Sequence, residues 1–337
     1  LICSSVFAAS EVTPQDNSAE ISATNAKQLR PLKEMPQAAN RILCGPHKGE
    51  MTVLDLYNSI KVVDDHDLRT LRTYSANHHP NDVTVSRDGK LLMWTEGGGG
   101  EYTLHQAEGE KPFKLALGPQ ECRAAISPDN KLLAIGQTIW FPNEEGAGES
   151  WIKLFDRSGN LLRSLEKFGA GYLSPVFSPD GKTLAVGNLN HETQLFEVAT
   201  GKHLHTLSKR GTREIAFSPD GKTLAAGYVD GTVAVWDVAN GKLQNSRASG
   251  CKQVFSLDWS PKGDLLVTGG TDWKTGKLTL WDPSNMTKLK ERDVQKIVWQ
   301  VRFTTDGTGL LSSSASDNTP GSDERITRWA VASEGKP

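Results

Sequence analysis

A four-residue turn, Ser-Pro-Asp-Gly, recurs along this chain at the spacing a small antiparallel sheet requires. It stands unaltered as Ser178-Pro179-Asp180-Gly181 and Ser218-Pro219-Asp220-Gly221. Looser copies are Ser86-Arg87-Asp88-Gly89, Ser127-Pro128-Asp129-Asn130, Ser260-Pro261-Lys262-Gly263 and Thr304-Thr305-Asp306-Gly307, with Gly45-Pro46-His47-Lys48-Gly49 as a degenerate first. The third residue of each falls at 47, 88, 129, 180, 220, 262 and 306, giving spacings of 41, 41, 51, 40, 42 and 44. A period of that length marks supersecondary units that bury their apolar faces only by stacking on one another.

The unit is clearest over Arg213–Lys242. Ile215–Phe217, Thr223–Tyr228 and Thr232–Trp236 are short runs rich in β-branched and aromatic residues, separated by turn residues. Asp230-Gly231 and Asn240-Gly241 suit tight turns that need positive φ, so the chain reads as four antiparallel strands per repeat. Seven such sheets are expected.

At this point the chain resembles the WD-repeat β-propellers, whose third strand often ends in Trp-Asp. Trp236-Asp237 and Trp281-Asp282 match that ending, while Phe155-Asp156, Phe196-Glu197 and Val63-Asp64 are softened versions. His105-Gln106 and Trp329-Ala330 depart from it, and the family's Gly-His dipeptide is absent. Of the hydrogen-bond network that dipeptide supports, Asp230 with Trp236 is the expected remnant. The resemblance implies an all-β, seven-bladed β-propeller of four-stranded antiparallel blades over residues 25–337. The last repeat stops before a fourth strand, and Asn25–Leu32 aligns with Thr200–Leu207, which precedes a later unit. An N-terminal strand is therefore expected to complete the last blade and close the ring, removing an exposed edge.

Composition excludes several classes. With 38 basic and 40 acidic residues there is no bulk attraction to nucleic acid, and no apolar run is long enough for a membrane helix. Cys3, Cys44, Cys122 and Cys251 show neither zinc nor redox spacing and read as free thiols. Leu1–Ala9 has the apolar-then-small pattern of a secretory signal's tail, so residues 1–24 read as a signal remnant and disordered lead-in. Export to the periplasm or cell surface is the localisation this pattern favours, with a cytoplasmic chain as the alternative.

Loop length varies almost wholly on the side opposite the Ser-Pro-Asp-Gly turns, which is where a scaffold carries function. Trp140, Phe141 and Trp151 border the longest insertion; their bland reading is an extended hairpin. Trp273 and Lys274 occupy a loop tip, and Trp at such a place is a frequent contact residue. His78 and His79 lie on the same side and lack a third metal ligand. Glu144, Glu145 and Glu149 carry no calcium-loop pattern, so no metal is expected.

Six residues before each anchor stand Arg41, Asp82, Arg123, Ser174, Glu214, Ser256 and Gln300, a polar set that period-two alternation turns toward the central channel. Asp258 and Arg302 lie two positions nearer the turn, where an ion pair between them is expected and a ligand carboxylate on Arg302 is the sharper alternative. The catalytic templates fail. Gly181-Lys182-Thr183 and Gly221-Lys222-Thr223 lack the first glycine of a phosphate loop, His191-Glu192 has no second His, and no Gly-x-Ser-x-Gly elbow occurs. The expectation is a non-enzymatic protein–protein interaction scaffold without cofactor, a subunit of a larger exported assembly. The alternative is a lactonase-like propeller enzyme or ligand binder using the channel-mouth residues Arg41, Asp82, Arg123, Glu214, Asp258 and Arg302.

Overall fold

A computed structural model describes residues 18–36, 39–44, 49–55, 59–75, 83–86, 88, 91–96, 101–106, 113–116, 121–140, 148–295, 297–316 and 325–332. They form six four-stranded antiparallel sheets and one five-stranded sheet, with a single short 3-10 turn at Ala26–Gln28. Within each four-stranded sheet the strands follow chain order.

The fifth sheet shows why the sequence folds this way. Its strands are Thr212–Phe217, Thr223–Tyr228, Thr232–Asp237 and Leu243–Ala248. The two middle strands are the most apolar and the most buried, whereas the fourth, with Gln244, Asn245, Ser246 and Arg247, faces solvent. Gly221 closes the first turn at φ 71°, a left-handed conformation that a side chain disfavours. A Cβ there would also lie 3.3 Å from Cδ of Pro179, so this turn rests on the proline of the turn before it, as do those of Gly181, Gly263 and Gly307.

The Ser-Pro-Asp-Gly sequence has a physical content beyond turn propensity. Ser218 Oγ donates to Asp220 Oδ1 at 2.6 Å and accepts the backbone N–H of Thr223 at 3.1 Å. The same pair of bonds recurs at Ser86, Ser127 and Ser178, and Thr304 makes it with Asp306 and Gly309. Where Lys262 replaces the aspartate, Ser260 donates to Asp264 instead, at 2.7 Å. These hydroxyls are buried, and they satisfy an amide that the turn would otherwise orphan.

Apolar clusters fill the spaces between neighbouring sheets. Leu195, Ala226 and Ile215 join the fourth sheet to the fifth, and Val235, Leu257 and Trp281 join the fifth to the sixth. Met51 and Val63 of the first sheet share a cluster with Leu311 and Ile326 of the last. Trp281 and Trp329 are anchored across strands by indole N–H bonds to Thr268 and Ser312, at 2.9 and 2.8 Å. Trp236 donates instead to the Tyr228 hydroxyl, and Asp230 pairs with Arg210, so the Asp230–Trp236 remnant expected from the sequence is not formed.

The last sheet takes strands from both ends of the chain. Ile297–Phe303, Gly309–Ala315 and Arg325–Ala332 are followed in space by Arg30–Pro36, paired antiparallel with Arg30 opposite Ala330 and Met35 opposite Ile326. Its prolines are tolerated because this strand lies at the sheet's edge. Ser18–Ala19 pairs farther along Arg325–Ala332, and Ile21 is buried with its N–H on Gly307 O. Within the lead-in expected through residue 24, Ile21 and Ala19 therefore pack on the last sheet, because they carry apolar surface that it covers.

Candidate functional site

The first strand of each sheet has two ends, one at the Ser-Pro-Asp-Gly turn and one at the longer loops. At the turn end, first strands of the second through seventh sheets line a cavity of about 580 Å³. Pro128, Pro179, Pro219 and Pro261 collar it, with Trp259 and Phe303 behind.

Asp258 and Arg302 open onto this cavity. The ion pair on Arg302 is with Glu214 two sheets away, at 2.9 Å, and Arg302 Nη1 also donates to Ser256 Oγ and to the carbonyls of Leu257 and Val301. Asp258 Oδ2 accepts the backbone N–H of Phe303 at 2.8 Å. Burial raises the Asp258 carboxyl to a pKa of about 6, against the opposing pull of Arg302. Arg302 thus acts on Asp258, as expected, and also reaches across the intervening strand to Glu214, held there by Ser256 Oγ and two carbonyls. A ligand carboxylate would have to displace Glu214.

The loop end is built differently. In the fifth, sixth and seventh sheets the ladder skips one residue of the first strand: Arg213, Phe255 and Trp299 each fall in a β-bulge. A bulge re-aims the extra side chain. Here it brings Phe255 and Trp299 to a centroid distance of 4.9 Å and sets the Arg213 guanidinium 4.6 Å from the Phe255 ring centre. Trp273 meets Phe255 edge-on at 6.3 Å and is 50% exposed, at φ 72°. Asp272 holds that tip by accepting the N–H groups of Lys274 and Thr275, which keep its carboxyl below the usual range.

Arg123 lies half-buried and donates to Ser174 Oγ at 2.7 Å. Among the residues singled out from sequence, the structure thus places Trp273 and Lys274 together at an exposed tip. It separates Arg123 from the Asp258–Arg302 cavity lining. Trp151 is half-buried on its own sheet, its indole N–H on Gln137 Oε1 at 3.0 Å and Lys153 Nζ 5.4 Å from its ring. Strands Leu132–Trp140 and Gly148–Asp156 pair as far as Trp140 opposite Gly148, the extended hairpin of the bland reading. Phe141, His78, His79 and Asp82 lie outside the described residues, as do the side chains of Trp140 and Arg41.

Arg213, Phe255 and Trp299 were missed by period-two reasoning because a bulge breaks the period. A signal was present in the spacing of buried apolar residues: Val254 and Leu257, and likewise Val298 and Val301, lie three apart yet share one cluster.

A second titratable group joins the first and last sheets. His66 Nε2 lies 3.3 Å from Asp65 Oδ1 and 3.4 Å from Asp306 Oδ2, and Arg328 Nε donates to Asp65 O. Burial lifts Asp65 to about 6, although His66 opposes the shift. No group of three or more potential metal ligands occurs among the described residues, and no helix there is long and apolar enough to cross a membrane.

Fold and site together define an all-β repeat protein of stacked antiparallel sheets with an elaborated loop end. The family model for eukaryotic translation initiation factor eIF2A matches residues 173–276. THO complex subunit 3 of Arabidopsis thaliana is 27% identical over 191 residues, which cover 54% of this chain and 59% of that protein. The chain therefore matches somewhat more than half the length of that relative. Both similarities support a WD-repeat family for this chain.

Proposed function

We propose that this protein is a non-enzymatic interaction scaffold, a seven-bladed β-propeller whose ring is closed by the strand Arg30–Pro36 and whose loop end docks a protein partner. The carrying observation is the contrast between uniform, self-satisfied turns at one end and an exposed Trp273 over a bulged aromatic cluster at the other. Closure is supported by the apolar cluster that Met51 shares with Leu311 and Ile326, and by the Asp65–His66–Asp306 contact across the same seam. Similarity to a THO complex subunit supports a role within a multi-protein complex. That similarity also fits the cytoplasmic alternative better than export, for which neither comparison offers support. The exclusion of nucleic acid expected from the charge balance has no support from them either.

The lactonase-like alternative is weakened because its groups already engage one another: Arg302 holds Glu214, and Asp258 holds the Phe303 amide. The test is affinity capture from the native source with the unaltered chain and with Trp273→Ala. A partner set that the substitution depletes supports the reading; a chain that captures nothing, or a variant that captures the same set undiminished, overturns it.

A further inference from the structure

The three bulged residues carry more than docking area. Arg213 Nη2 donates to Gln253 Oε1 at 3.1 Å, but its buried Nε has no hydrogen-bond partner among the described residues. The groups whose charge bears on it are Arg123 and Tyr172, with no carboxylate among them. Burial, and then Arg123, push the Arg213 guanidinium below its ordinary pKa. The hydrogen bond that Arg123 makes is to a neutral hydroxyl, Ser174. Glu214, next in sequence to Arg213, spends its carboxylate on Arg302.

Two guanidinium groups therefore share a partly desolvated, aromatic-lined mouth, and among the described residues no carboxylate is paired with either. That arrangement is unfavourable in the isolated chain and is relieved by an incoming anion. We infer that the mouth formed by Arg213, Arg123, Phe255, Trp299 and Trp273 recognises an acidic segment of a protein partner, an Asp or Glu carboxylate set between the guanidinium groups beside an apolar residue packed on Trp273. The inference rests on the scaffold reading above and specifies what the loop end selects.

Single-stranded nucleic acid suits the site less well. Such binders need open aromatic faces and a track of cations along the backbone. Phe255 is 7% exposed and is packed by Arg213, Trp299 and Trp273, and this mouth offers two arginines rather than a track. Carboxylates, by contrast, are matched by the planar fork of arginine.

The experiment is selection of a random twelve-residue peptide library on the full chain, with affinities of the selected peptides measured by fluorescence polarisation. Peptides bearing Asp or Glu next to an apolar residue should be enriched, and replacing that acid with its amide should weaken binding by about tenfold or more. Arg213→Gln and Arg123→Gln should each produce a similar loss while melting like the unaltered chain, and Arg213→Lys should recover part of it. If a variant fails to fold, the acid-to-amide change in the peptide decides on the unaltered chain. Selection of neutral or basic peptides, indifference to the amide change, or no selection at all overturns the inference. So does a labelled twelve-residue oligothymidylate that binds more tightly than the acidic peptides. Neutral peptides that still require Trp273 would sink this inference and leave the scaffold standing, whereas the scaffold itself fails only in the capture experiment.

Discussion

The two ends of the same strands obey different rules. At the turn end, Ser127, Ser178 and Ser218 repeat one geometry almost without change, and the turns at Ser178 and Ser218 lean on the proline of the turn before. At the loop end, Arg213, Phe255 and Trp299 occupy one structural position in three adjacent sheets and are chemically unlike. Repetition at one end stabilises the sheets and their packing. Divergence at the other gives a single direction in which the molecule can be selective. A substitution at the turn end should therefore cost stability, and one at the loop end should cost binding.

The strongest test of that contrast is Arg302→Met. The guanidinium is nearly buried, and its removal leaves Glu214 facing Asp258 without compensation. Breaking a buried pair on one side costs about 3–5 kcal/mol, so urea denaturation should show a large loss of stability. A loss below about 1 kcal/mol would mean that solvent replaces Arg302 freely and that the turn end is not the stabilising one. Next comes Ser218→Ala, which orphans the Thr223 amide and leaves Asp220 Oδ1 with the Lys222 N–H alone. It should cost about 1–3 kcal/mol with no change in peptide binding. Equal effects on both measurements would erase the distinction between the ends.

How much of this the sequence showed follows from the range of the interactions. The turns were legible because serine, aspartate and glycine act within five residues of one another, as at Ser178, Asp180 and Thr183. That an N-terminal strand joins the last sheet was legible for another reason: Asn25–Leu32 aligns with Thr200–Leu207, although the strand that pairs with Arg325–Ala332 runs a little later, over Arg30–Pro36. The partner of Arg302 was not legible, since Glu214 lies 88 positions away and reaches across an intervening strand. The bulges stayed hidden because a one-residue slip reverses which side chains face the core, and alternation cannot announce its own interruption. Trp273 was found from its polar neighbours, Asp272 and Lys274, which cannot be buried at a tip.

A third test uses pH. Asp258 and Asp65 both titrate near 6 in the folded chain, above the ordinary carboxylate value of 3.8. Between those values the folded state binds more protons than the unfolded one, so stability falls as pH rises through that window and levels off above it. Asp129, Asp180 and Asp220 are held below the ordinary value by the Ser127, Ser178 and Ser218 hydroxyls and by backbone N–H groups. They act oppositely, and what they contribute is lost as pH falls below about 4. Stability should therefore peak in mild acid. Asp258→Asn, which can still accept the Phe303 amide, should raise stability at pH 7.5 by about 1–2 kcal/mol and leave pH 4.5 nearly unchanged. An equal shift at both pH values would show that packing, not the charge, sets the effect.

The smallest effect on stability is expected at the loop end, from Trp273→Gly. Trp273 holds φ 72° at an exposed tip, a conformation that costs a non-glycine residue about 1–2 kcal/mol. Glycine removes that strain but forfeits the edge contact with Phe255, worth about 0.5–1.5 kcal/mol. The two nearly cancel, so the unfolding free energy should stay within about 0.5 kcal/mol of the unaltered chain. Binding of the selected acidic peptides should nevertheless fall severalfold. A residue kept in a strained conformation with no net gain in stability is explained by what it touches from outside. If Trp273→Gly instead destabilises the chain and binding survives, the tryptophan is a clamp on Phe255, and the loop end follows the same rule as the turn end.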